Sequence, residues 1–86
     1  MVRLSKLTDY ASVILAQMAR HPDILWSAGQ LSDKSSIPKP TCIKLLKLLV
    51  KGGVLTSTQG ARGGYSLARA PSQIPVKVII EAIEGP

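Results

Sequence analysis

The chain lacks acidic residues where most of its positive charge lies. Between Lys34 and Ile80 stand eight basic residues, Lys34, Lys39, Lys44, Lys47, Lys51, Arg62, Arg69 and Lys77, with no Asp or Glu among them. All five acids, Asp9, Asp23, Asp33, Glu81 and Glu84, lie outside that stretch. A surface of one sign attracts a polyanion and repels other cations. Aromatics are also scarce: Tyr10, Trp26 and Tyr65, with no Phe. The core must therefore be built from Leu, Ile, Val and Ala. Binding to single strands or to RNA loops, which leans on aromatic stacking, is disfavoured. The single cysteine, Cys42, excludes an internal disulfide and gives no sign of an oxidising compartment.

Further absences narrow the function. Met1 to Lys6 lacks the apolar run of a signal peptide. No apolar run approaches the ~18–20 residues that span a bilayer. A cytoplasmic chain without membrane contact is expected. His21 has no Cys or His neighbour, so no metal site is expected. The glycines at 60–64 are followed by no Lys-Ser or Lys-Thr, which excludes a phosphate-binding P-loop. No grouping of Ser, His and Asp suggests catalysis, and no enzyme is expected.

What is present fits one small domain over residues 1–86, with 45% apolar residues and a net charge of +6. That apolar share suffices for a core and argues against disorder. Leu4, Leu7, Ala11, Ile14, Leu15 and Met18 recur at helical steps, predicting a helix from Ser5, its N-cap, to Arg20. His21-Pro22 ends it. Asp23 to Trp26 reads as a connection. Ser27-Ala28-Gly29-Gln30 has the form of a capping box, opening a short helix to about Lys34 with Ala28 and Leu31 inward. Ile37 is expected to plug the core. Pro38 and Pro40 are tolerated only in a first turn, so a third helix spans about 38–51. Its stripe is Cys42, Leu45, Leu46 and Leu49, and Gly52-Gly53 stops it. Residues 54–59 and 65–69 read as strands of a hairpin around a glycine turn. Residues 70–73 read as a loop. A last helix runs from Pro75 to Glu84 with Val76, Ile79, Ile80 and Ile83 on one side.

The predicted fold class is mainly α with a small β-hairpin: a winged helix-turn-helix. In that fold the third helix would enter the major groove of double-stranded DNA. Lys39, Thr41, Ile43 and Lys44 would face base edges, and Lys47 and Lys51 phosphates. The wing, residues 54–69, would reach the minor groove with Arg62 at its tip, where Gly63 and Gly64 permit positive φ and a bare backbone. The plainer alternatives are a solvated lysine face and an ordinary hairpin turn. Cys42, on the apolar side of its helix, reads as a buried structural thiol.

Three stretches carry a family resemblance. They are Arg3-Leu4-Ser5-Lys6-Leu7-Thr8-Asp9-Tyr10-Ala11, Ile37-Pro38-Lys39-Pro40-Thr41 with Lys44 to Leu49, and Gly60-Ala61-Arg62-Gly63-Gly64-Tyr65-Ser66-Leu67. With Ile79 to Gly85, they resemble the Rrf-two (BadM-like) family of bacterial winged-helix regulators. The opening looks like the form found in SUF-system and IscR-type iron–sulfur regulators. The resemblance implies a sequence-specific regulator, such as a repressor, of iron–sulfur assembly or related stress genes. It implies DNA contacts at Arg3, at Thr41 with Lys44, and at the Arg62-Gly63-Gly64 tip. Members of the family continue into a loop with three cysteines, which hold an iron–sulfur cluster in the sensing members, and then into a dimerisation helix. This chain stops at Pro86, so a shortened form is expected. Cys42 matches no ligand position. No cofactor is therefore expected here, and a cluster only if a longer form supplies the cysteines. A homodimer is implied for a full-length form. Gln59 stands where many relatives place a basic residue. The competing expectation is a winged-helix protein-interaction module that pairs through its apolar last helix and binds no DNA.

Overall fold

The computed structural model describes residues 6–85. Helix α1 spans Lys6–Arg20 and buries Thr8, Ala11, Ile14, Leu15 and Met18, spaced three or four residues apart so that one face turns inward. The Ser5 cap and the inward Leu4 lie outside the described residues. Helix α2, Ala28–Ser35, opens on the expected capping box. The Gln30 amide N–H donates to Ser27 Oγ (3.1 Å), and the Ser27 amide N–H donates to Gln30 Oε1 (2.9 Å). Ser36 then turns left-handed at φ 57°. Ile37 is buried, and Ser32 Oγ donates to its carbonyl.

Helix α3, Lys39–Lys51, begins at Pro38 and carries Pro40 in its first turn, where a missing N–H costs nothing. Cys42, Leu45, Leu46 and Leu49 are fully buried in its stripe. Gly53, at φ +79°, supplies the left-handed step that stops it. Strands β1, Leu55–Thr58, and β2, Gly64–Leu67, pair antiparallel in the register Leu55↔Leu67, Thr56↔Ser66, Ser57↔Tyr65 and Thr58↔Gly64. A 3-10 turn at Pro71–Gln73 occupies the expected loop. Helix α4 covers Val76–Glu84. Two helices across a tight turn followed by a hairpin make the fold a winged helix-turn-helix.

Two expectations need correction. Trp26 is no mere connector residue. It is 6% exposed and forms a backbone bridge to Tyr65, with N–H···O distances of 2.9 and 2.8 Å, so it acts as a third short strand on the outer edge of β2. The face of α4 is also rotated from its expected setting. Val78, Ile79, Ala82 and Ile83 pack on the core, whereas Val76 is 66% exposed. The approach is close at Ala82: a Cβ on Gly52 would lie 2.5 Å from the Ala82 Cβ, so the end of α3 meets α4 at its smallest side chain. Two residues further along α4, Glu84 Oε2 accepts from Oγ1 of the buried Thr8 at 2.6 Å, which ties α4 to α1.

Candidate nucleic-acid interface

With its stripe committed to the core, α3 turns the remaining side chains outward. Lys39, Lys44, Lys47 and Lys51 are exposed, and Thr41 and Ile43 are half-buried. Pro40, Ile43, Lys44, Lys47, Leu48 and Lys51 line a shallow depression of about 390 Å³ along this outer face. Pro40, Ile43 and Leu48 give it an apolar floor, to which the methylene stems of the lysines can add. Among the described residues, the ion pair present is Lys77–Glu81 at 3.8 Å, on α4. None of the α3 lysines has an acidic partner there. Their charge is available to an external anion.

The wing differs from expectation in how its glycines are used. Arg62 is exposed at the tip, as expected. Gly63 and Gly64 do not take positive φ. The positive φ of the turn is at Gly60, +108°. The need for glycine at 63 and 64 is steric and internal. A Cβ on Gly63 would lie 1.9 Å from the Thr58 carbonyl oxygen, and one on Gly64 would lie 2.8 Å from the Trp26 carbonyl oxygen. Both bare backbones fit closely against carbonyls of the chain itself, which holds the tip in shape.

The structure thus keeps Lys39, Thr41, Ile43, Lys44 and Lys47 on one helix and Arg62 on a separate, rigidly turned tip. Arg3 lies outside the described residues. Sequence reasoning missed Trp26 as the residue that fastens the wing to the body. Its indole Nε1 is buried without a hydrogen-bond partner, and its ring centroid lies 6.3 Å from that of His21. The signal was weak: a lone Trp in a short connection.

Iron chemistry does not fit the residues present. Cys42, the single cysteine, is buried, and desolvation pushes its thiol above the ordinary range, away from the thiolate that metals bind. Among the described residues no group of three or more His, Cys, Asp or Glu could hold a metal ion. No helix among them is long and apolar enough to cross a membrane.

The sequence profile of the Rrf2 family, described as "Iron-dependent Transcriptional regulator", matches residues 4–86. The chain belongs to the Rrf2 family. An Aquifex aeolicus protein assigned as an HTH-type transcriptional regulator is 39% identical over 77 residues, covering 90% of this chain and 54% of that protein. The regulator IscR of Cereibacter sphaeroides is 33% identical over 86 residues, covering 96% and 56%. Among solved structures, CymR, the global cysteine regulator of B. subtilis, superposes with a TM-score of 0.88 at 28% identity, covering 100% of this chain and 67% of that one. IscR of T. potens does so at 0.86 and 30%, covering 98% and 62%. This chain therefore spans little more than half the length of the curated Rrf2 relatives it matches. The family is one of transcriptional regulators, not of enzymes.

Proposed function

We propose that this Rrf2 chain is the operator-reading part of a transcriptional regulator. Helix α3 lies in the major groove of double-stranded DNA and the wing tip in the adjacent minor groove. Lys39, Thr41, Ile43 and Lys44 meet base edges, Lys47 a phosphate and Arg62 the minor groove. Arg3 belongs to the same set by resemblance. The observation that carries this reading is the row of exposed α3 lysines with no acidic partner among the described residues. Iron–sulfur assembly and related stress genes are the targets we favour, on the IscR-like resemblance and the family's description as iron-dependent. A cluster would have to come from cysteines outside this chain, and a homodimer is expected of a longer form.

The test is a titration of labelled promoter duplex at a series of salt concentrations, with unlabelled specific and random competitors. Affinity should fall steeply with salt, each phosphate contact adding roughly one unit to the log–log slope. Salt-independent binding would sink the electrostatic account. A second reading, a protein-interaction module without DNA binding, draws on Val76 of α4 at 66% and Val13 of α1 at 48% exposure, on two helices that meet at Thr8 and Glu84. It requires a stable protein complex together with no duplex shift.

A further inference from the structure

A second concavity lies not on the outer face of α3 but in the elbow between that helix and the wing. It holds about 310 Å³ and is lined by Lys47, Val50 and Lys51 from α3 and by Ser57, Gln59 and Tyr65 from the wing. Local structure explains why these six meet. Lys47, Val50 and Lys51 are three and four residues apart and so share one flank of the helix. In the hairpin, side chains alternate between faces. Leu55, buried and paired with Leu67, marks the inner face, so the Ser57↔Tyr65 pair two residues further on shares it. Thr56 and Ser66 take the other face, where their hydroxyls lie 2.9 Å apart. Gln59 follows directly after β1. The backbone bridge from Trp26 to Tyr65 fixes the height of the wing over the helix.

The chemistry of the elbow is that of a tetrahedral anion seat. Lys47 and Lys51 bring two ammonium groups, Ser57 and Tyr65 two hydroxyls, and Gln59 a side-chain amide, and no carboxylate lines it. A water takes about 30 Å³ in the liquid, so the space admits an anion with part of its hydration. We infer that the elbow between α3 and the wing is a seat for one DNA backbone phosphate, with Lys47 and Lys51 supplying charge and Ser57, Gln59 and Tyr65 supplying neutral donors. This rests on the proposed docking and deepens it. With α3 in the major groove and the tip in the next minor groove, one sugar–phosphate strand has to cross between them, and the elbow is where it crosses. Gln59 thereby gains a role as a neutral donor in place of a cation.

A short random-sequence duplex, bound by the 86-residue chain at several salt concentrations, tests the seat, since non-specific binding is carried by phosphate contacts. Lys51→Gln should lower the log–log salt slope by about one. Tyr65→Phe, which keeps the ring and the backbone bridge, should weaken binding about tenfold at an unchanged slope, because it removes a short-range donor and no charge. Lys77→Gln, an equal change of charge on α4, controls for net charge and should leave both readings as they were. Thermal melts of each variant confirm folding. If the wild-type chain binds with a salt-dependent slope but either Lys51→Gln or Tyr65→Phe fails to give its effect, the seat is overturned while the docking stands. If the wild-type chain shows no salt-dependent binding, the docking itself falls and the seat with it.

Discussion

Helix α3 and the outer half of the wing stand side by side but are held in place by different means. Cys42, Leu45, Leu46 and Leu49 anchor α3 through buried side-chain volume, as Val54 and Leu55 do for the base of the wing. Toward its tip the wing is anchored where side chains are missing: Gly63 lies against the Thr58 carbonyl and Gly64 against the Trp26 carbonyl, with a backbone bridge beside them. The outer face of α3 can therefore vary with no effect on where the helix sits. The wing tolerates change at Arg62 but not one added carbon at the two residues that follow. A regulator that alters its operator preference by substitution has more room on the helix than on the tip.

Removing buried volume from α3 should have the largest effect. Leu46→Ala deletes a fully buried side chain in a close-packed stripe. The cost should be about 2–5 kcal/mol, the transfer loss plus the cavity left behind. For a domain whose whole stability is on the order of 5–15 kcal/mol, that is a large share. Urea unfolding should show a lower midpoint at an unchanged slope. A loss below about 1 kcal/mol would mean that the stripe collapses around the gap, and the contrast with the wing would weaken.

Adding volume to the wing should come next. Gly64→Ala places a Cβ 2.8 Å from the Trp26 carbonyl oxygen, a backbone atom that can yield only by breaking the bridge. Overpacking of this kind costs about 1–3 kcal/mol. The damage should be local. Amide exchange at Trp26 and Tyr65 should quicken while the buried turn of α3 keeps its protection. Equal loss of protection in both regions would show that wing and helix unfold as one unit.

The same contrast explains what the sequence made legible. Helices α1, α2 and α3 carry local signals: three- and four-residue apolar spacing, the Ser27–Gln30 capping box, Pro38 and Pro40 in a first turn, and Gly53 at its end. Once the stripe of α3 was fixed, its lysine face followed as the complement. The rotation of α4 was legible but was missed: Lys77, Glu81 and Glu84 recur at four- and three-residue steps and mark a polar side, which leaves Val78, Ile79, Ala82 and Ile83 on the opposite face. The reason for Gly63 and Gly64, by contrast, was hidden. It lies in Thr58 and in Trp26, the latter distant in sequence, and a glycine pair in a turn looks alike whether it needs positive φ or simply room. The elbow could not be seen either, because it exists only where α3 and the hairpin face each other.

Arg62→Ala is the smallest change to the fold and the sharpest test of the division between anchoring and contact. The side chain is exposed at the tip and makes no ion pair among the described residues, so stability should stay within about 0.5 kcal/mol of the wild type. Binding should respond where stability does not. A-tracts narrow the minor groove and deepen its negative potential, which favours an inserted arginine. Duplexes flanked by A-tracts should therefore lose more affinity than those flanked by G·C pairs when the guanidinium is removed. Competition binding with the two flanks measures the difference directly. Equal loss on both would reassign Arg62 to a plain phosphate contact, and sequence preference would then have to come from α3 alone. A drop in thermal stability together with the loss of binding would mean instead that the tip depends on its arginine for shape, against the glycine-based anchoring seen at Thr58 and Trp26.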